Sequence, residues 1–242
     1  MGEGPGDAQP RRAKVVGIGL NKTGTKTLGA YLSRWGYRNR SYDSDTTSES
    51  PSFRLFTGGR TDELLDEMER YDSFEDWPWP LLYREIDARY PDARFVLTER
   101  SSADVWFRSL CNMAVRLGPM PLFERHVYGS ALPQGHRARH VGIYEAHGAA
   151  VREHFADRPE KLLCISWDRG EGPEELAEFL GLDGVDTAPL HVNPSPRNVY
   201  DGNSVVLARL ARARYRWLDG PHALGRRVGA AVRRRLGGAK TG

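Results

Sequence analysis

The sequence predicts an α/β protein built on a central parallel sheet flanked by helices. Short apolar or β-branched runs alternate along the chain with longer stretches whose apolar residues recur at helical spacing, the pattern of parallel strands joined by crossover helices. The first run ends in glycine, and a glycine-bearing loop leads from it into a helix. The 242 residues are 39% hydrophobic and 28% charged, enough apolar material for a buried core and too much for a disordered chain.

Lys14 to Leu20 (Lys-Val-Val-Gly-Ile-Gly-Leu) reads as a buried strand. Thr25 to Gly36 carries Leu28, Tyr31, Leu32 and Trp35 at helical spacing, and Gly36 stops it. Ser41 to Arg60, rich in Ser, Thr, Asp and Gly, predicts a loop, and Thr61 to Arg70 a short amphipathic helix with Leu64, Leu65 and Met68. A short strand is expected over Tyr71 to Phe74. After Trp77-Pro78-Trp79-Pro80, Leu81, Leu82, Ile86 and Tyr90 mark a helix closed by Pro91. Ala93 to Thr98 is a strand, and Ser102 is a good N-cap for a helix running to about Leu117. Gly118 to Gly135 holds six glycines and prolines and reads as a lid or substrate loop. His136 to Phe155 follows as a long helix, Lys161 to Ser166 as a strand, and Pro173 to Leu180 as a helix ended by Gly181. Thr187 to Asn203 is irregular.

These readings divide the chain into a disordered leader over 1–13, a catalytic domain over 14–203 and a basic helical extension over 204–242. From Val206 onward ten basic residues face one acid, Asp219, a net +9 that leaves the remainder of this +3 chain mildly acidic. Such an extension suits peripheral contact with an anionic membrane surface; no specific nucleic acid is expected. Two cysteines, Cys111 and Cys164, build neither a disulfide framework nor a cysteine zinc site. With no signal-like or membrane-spanning apolar run, the expected location is the cytoplasm.

The segment with the most chemistry is Gly19-Leu20-Asn21-Lys22-Thr23-Gly24-Thr25-Lys26-Thr27, between the first strand and its helix. Ligands of parallel sheets bind beyond the strands' carboxyl ends. Here two glycines let the backbone wrap an anion, the helix N-terminus adds about half a positive charge, and Lys22 and Lys26 add whole ones. Lysine is otherwise scarce, with five in the whole chain. Neither common nucleotide fingerprint fits: Thr25 separates Gly24 from Lys26-Thr27, against the Walker order, and Gly17 and Gly19 are followed by Lys22 where a dinucleotide loop needs glycine.

Gly19 to Leu28 instead resembles the 5′-phosphosulfate loop of sulfotransferases that use 3′-phosphoadenylyl sulfate, in which a Lys-Thr-Gly-Thr core follows the first strand. In that family the next nucleotide element is a strand ending in arginine, with a helical serine eight residues later, and the two bind the 3′-phosphate. Phe95 to Arg100 supplies the strand and the arginine, but Ser109 stands nine residues on and Arg108 takes the eighth place. Phe74 to Pro80 with Tyr83 and Glu85, then Tyr144 and His147, then His191-Val192-Asn193, are similar to a bacterial small-molecule-type subfamily with a Rossmann-like, P-loop-like core. The family's late basic loop is absent, and Arg197 is the substitute candidate.

The resemblance implies transfer of a sulfuryl group from 3′-phosphoadenylyl sulfate to a hydroxyl or amine of a small-molecule acceptor, with no metal required. The nucleotide ligands it implies are Asn21, Lys22, Thr23, Gly24, Thr25, Lys26, Thr27, Arg100, Ser109 and Arg197. Lys22 suits the leaving oxygen and Asp76 the base, with Glu75, His147 and His191 as rivals. Asp76 equally suits a helix N-cap, and Trp77 and Trp79 either wall an acceptor pocket or fill the core. Two other readings stay open: an ATP- or GTP-dependent kinase with an irregular P-loop and Asp168 as its magnesium ligand, and a non-catalytic protein binding anionic lipid or nucleic acid through the basic extension.

Overall fold

Five strands form the centre of the structure: β1 (Val15–Gly17), β2 (Asn39–Arg40), β3 (Ser73–Phe74), β4 (Arg94–Thr98) and β5 (Leu162–Ile165). The computed structural model describes residues 12–41 and 50–190. All the pairings are parallel, in the order β2-β3-β1-β4-β5. Val16 of β1 registers with Phe74 on one side and Phe95 on the other, so these three side chains form one row across the sheet. Such β-branched and aromatic runs are what a sheet covered on both faces requires.

Alternation along the strands sends consecutive residues to opposite faces. One layer contains Val15, Val96 and Ile165 with Leu28, Tyr31, Leu32 and Trp35 of α1 (Thr25–Arg34) and Leu176 and Ala177 of α8 (Pro173–Leu180). The other contains Val16, Phe74, Phe95 and Leu97 and is covered by α3 (Thr61–Glu67), α4 (Tyr83–Arg89), α5 (Ala103–Leu117) and α7 (Arg137–His154) through Leu64, Ile86, Leu110, Val151 and their neighbours. The chain thus leaves β1 toward one face and leaves β3 and β4 toward the other. That reversal opens a crevice at the carboxyl ends of the central strands.

Two stretches expected as loops each contain a helix. Within 41–60, α2 (Pro51–Thr57) starts at Ser50, whose hydroxyl accepts from the Phe53 N–H at 3.4 Å. Proline at the first helical position is a start signal, but seven residues carry too little periodicity to stand out. Within 118–135, α6 (Leu122–Tyr128) follows Pro121 and ends at Gly129, which takes φ 70°. The two short helices stabilise each other: the Phe53 and Phe123 rings meet edge to face at 5.0 Å. The two-residue β2 also fell below any sequence signal.

Elsewhere the signals and the structure agree. Ser102 Oγ accepts from the Val105 N–H at 3.2 Å and caps α5. Gly36 and Gly181 stop their helices with φ 81° and 66°. Among the described residues no helix is long and apolar enough to cross a membrane. The expected leader up to Arg11, the irregular stretch past Leu190 and the basic extension lie outside the described residues.

Candidate active site

Between β1 and α1 the backbone turns back tightly, and side chains within the turn hold it. Thr23 Oγ1 donates to the Leu20 carbonyl at 2.6 Å and lies 2.7 Å from Thr98 Oγ1. Gly19 runs so close to β4 that a Cβ there would collide with the Thr98 carbonyl and hydroxyl, and a Cβ on Gly24 would collide with the Trp167 indole. Both glycines are therefore required by close approach, and Gly24 also by φ 96°. Gly24 is the N-cap of α1 and no side chain caps the helix, so its first N–H groups point outward as anion donors.

Asn21 is held on three sides. Its carbonyl accepts from Trp106 Nε1 at 2.9 Å, its Oδ1 from the Tyr128 hydroxyl at 2.6 Å, and its Nδ2 faces Glu124 Oε1 at 3.4 Å. Held between Asn21 and Thr23, Lys22 adopts φ 70°, a left-handed conformation costly for a residue with a Cβ. Asp76 takes φ 68°, and these are the only non-glycine residues of that kind among the described residues. The two positions singled out for chemistry are thus the two that are strained, as reaction centres often are.

Charge converges on the same place. Burial lowers the Lys22 pKa, and Arg116, Arg100 and Lys26 lower it further, against the opposing pull of Asp76. Three other cations near one lysine form a site built for an anion. Burial raises the carboxyl of Asp76 above the usual range, opposed by the Trp77 N–H at 3.0 Å and by Lys26 and Lys22. Burial also pushes Glu75 up to about 7, helped by the charge of Asp76 and opposed by Ser41, Lys26 and Thr25. Glu75 lies against α1: a Cβ on Gly29 would meet its Cγ at 3.1 Å.

Arg100 follows β4. Its N–H donates to the Tyr144 hydroxyl at 3.0 Å, and the Tyr144 ring stacks on Trp106 at 4.5 Å. Its Nε lies 3.2 Å from Asp168 Oδ2. Asp168 also accepts from the Ser101 N–H and hydroxyl at 3.0 and 2.9 Å and from Ser166 Oγ at 2.6 Å. The carboxylate that a kinase would give to magnesium is therefore the fixing point of the arginine corner.

A family model for the sulfotransferase domain matches residues 14–194. The chain belongs to the sulfotransferase family. It is also similar to the Ava biosynthesis cluster protein M of Aspergillus versicolor, with 24% identity over 229 residues, 81% of this chain and 86% of that protein.

Within this sulfotransferase the structure brings together Asn21, Lys22, Gly24, Lys26 and Arg100 around the carboxyl ends of β1 and β4, with Asp76 facing Lys22. Thr23 and Thr25, expected among the nucleotide ligands, do not offer their side chains. Thr23 spends its hydroxyl inside the loop, and that of Thr25 bonds Glu75, so each has only its backbone N–H to offer. Thr27 is half-buried in the first turn of α1. Ser109, Asn112 and Arg116 fall three and seven residues apart on one face of α5, the face whose Arg116 bears on Lys22, while Arg108 is exposed on another.

His147 holds the fold. Its Nε2–H donates to the Ile18 carbonyl at 2.7 Å, and burial depresses its pKa to about 4, so the ring is neutral. Trp77 and Trp79 are buried core, with Trp77 stacked on Phe123. Asp76 caps no helix; its carboxylate takes the N–H of the very next residue. His191 and Arg197 lie outside the described residues. Sequence reasoning missed Arg116, Glu124 and Tyr128. Arg116 was recoverable from its spacing after Ser109, whereas Glu124 and Tyr128 sit in the stretch read as a loop.

Proposed function

We propose that this sulfotransferase moves the sulfuryl group of 3′-phosphoadenylyl sulfate, by in-line displacement, to the hydroxyl or amine of a small-molecule acceptor. The observation that carries the reading is the meeting of four cations, Lys22, Lys26, Arg100 and Arg116, at the uncapped N-terminus of α1, with one buried carboxylate, Asp76, facing Lys22. A ligand with phosphate at two positions fits this layout: the loop offers N–H groups and lysines at one end, and the Arg100 corner, 3.2 Å from its Asp168 anchor, at the other. The nucleotide supplies an activated sulfuryl group on its 5′-phosphate oxygen.

The chain's residues then divide the work. Lys22 meets the bridging oxygen as negative charge grows there, an interaction stronger in the transition state than before it. Its pKa is lowered first by burial and then by the charges of Arg116, Arg100 and Lys26, which an anionic ligand would balance. Asp76 takes the acceptor proton, and burial makes it a stronger base than a solvated aspartate. The Arg100 guanidinium offers charge-assisted hydrogen bonds to the 3′-phosphate. The kinase reading is weaker, because Asp168 is committed to Arg100, Ser101 and Ser166.

Isothermal titration with adenosine 3′,5′-bisphosphate, AMP and ATP tests this. The bisphosphate should bind much more tightly than AMP, and Arg100→Ala should erase most of that preference. Equal binding of the bisphosphate and AMP by the wild type would remove the 3′-phosphate assignment, and magnesium-dependent preference for ATP would favour the kinase.

A further inference from the structure

The lysine that the reaction needs is held in a costly backbone conformation, and the residue before it is where that conformation is enforced. All three side-chain groups that grip Asn21 come from the far side of the crevice: Trp106 from α5, Tyr128 and Glu124 from α6. Glu124 is 5% exposed, and its carboxyl is buried beside the indole N–H of Trp77, which bears on it as a hydrogen-bond donor. A carboxyl taken out of water is expensive even where it is hydrogen-bonded, so its burial at this place calls for a use. The charge of Asp76 bears directly on this carboxyl.

We infer that Glu124 is a positioning residue of the transfer reaction: through Asn21 it fixes the backbone of Lys22, and its buried carboxyl stands close enough to Asp76 to feel that residue's charge. One side chain thereby ties the donor loop to the proposed base. The inference rests on the sulfuryl-transfer reading and adds a residue to it that the loop and the arginine corner do not supply.

Burial, reinforced by Asp76, pushes Glu124 up to about 8, so at pH 7 it keeps its proton and can donate it in a hydrogen bond. The groups that face it from the surrounding elements are Asp76 beyond β3, with Lys22 and Lys26 bearing on Asp76 from the loop and α1, and Tyr128 on its own helix, with His140 of α7 stacked on that ring at 5.0 Å. His140 is itself depressed to about 4 and stays neutral across this range. Once Glu124 ionises, a further negative charge joins Asp76 and Glu75, the latter already ionised above about pH 7, beside the anionic group in transfer. Turnover should then fall as pH rises through about 8.

The experiment is the pH profile of kcat and of KM for 3′-phosphoadenylyl sulfate, in wild type, Glu124→Gln and Glu124→Ala, with any accepted alcohol found by screening. Glutamine keeps a donor and an acceptor but cannot ionise, so Glu124→Gln should lose the fall above about pH 8. Alanine removes one of the three holds on Asn21 and leaves space where the carboxyl was, and the resulting shift of Lys22 should cut kcat by about 10²-fold while the affinity for adenosine 3′,5′-bisphosphate changes far less. An alkaline fall that survives in Glu124→Gln belongs to Lys22 or Glu75 and overturns the inference, as does a Glu124→Ala enzyme with wild-type kcat. Failure of the wild type to transfer any sulfuryl group would sink the parent reading instead. In that case the infrared band of a neutral carboxylic acid, lost near pH 8 in the wild type and missing from Glu124→Gln, still decides the state of this group.

Discussion

Replacing Lys22 by glycine and by alanine separates the strain in the loop from the charge it carries. Lys22 sits at φ 70°, pinned by the three contacts on Asn21 and by the two that hold Thr23. A residue with a Cβ pays about 1–2 kcal/mol in that region, and alanine pays it as lysine does. Glycine escapes the steric cost but gives up about 0.5–1 kcal/mol through the freedom it has when unfolded. Lys22→Gly should therefore be more stable than Lys22→Ala by about 0.5–1 kcal/mol, the reverse of their order at an ordinary position. For a chain of this size that is a difference of about 1–4 °C in Tm, within reach of calorimetry. Both variants lose the cation and should lose about 10²-fold or more in turnover, the scale for one preorganised donor. Lys22→Gly melting at or below Lys22→Ala would refute the claim that strain is stored at this residue. Full turnover in either variant would remove Lys22 from the chemistry.

Asp76→Asn should keep nucleotide binding and lower turnover by about 10²–10⁴, read by steady-state kinetics beside titration; a near-normal rate with an inactive Glu75→Gln would move the base to Glu75. Glu75 itself makes stability depend on pH. Its folded pKa of about 7 stands above the ordinary 4.5, so its favourable contribution is complete below about pH 4.5 and is lost as pH rises through about 7. Thermal melts from pH 5 to 8 should show Glu75→Gln gaining on the wild type across that window, and parallel curves would mean that Glu75 is not buried as an acid.

The sequence by itself settled the order of the larger elements and the location of the glycine-rich loop between β1 and α1. Val15 and Val16, the helical spacing of Leu28 to Trp35, and Gly24 set between Lys22 and Lys26 are local facts, fixed by backbone sterics and side-chain periodicity within a few residues. Arg100 and Asp76 were legible because each follows directly on a strand, and strand ends in a parallel sheet converge on one crevice. What the sequence left open was decided by contacts between residues far apart in the chain. Helices α2 and α6 are seven residues each, too short to hold by propensity alone, and exist because Phe53 packs on Phe123. Asp168, a plain acid after a strand in the sequence, becomes the anchor of Arg100 once the crossover sets β5 beside β4, where Thr98 pairs with Ile165. The same holds for Glu124. Nothing within its own helix makes it more than a surface acid, and only the fold buries it, sets it against Asn21 and Asp76, and gives it a pKa at which it holds its proton. Burial is a property of the whole packing, and so the ionisation of these carboxyls was decided by tertiary structure while the glycine and lysine pattern of the loop was written in the chain.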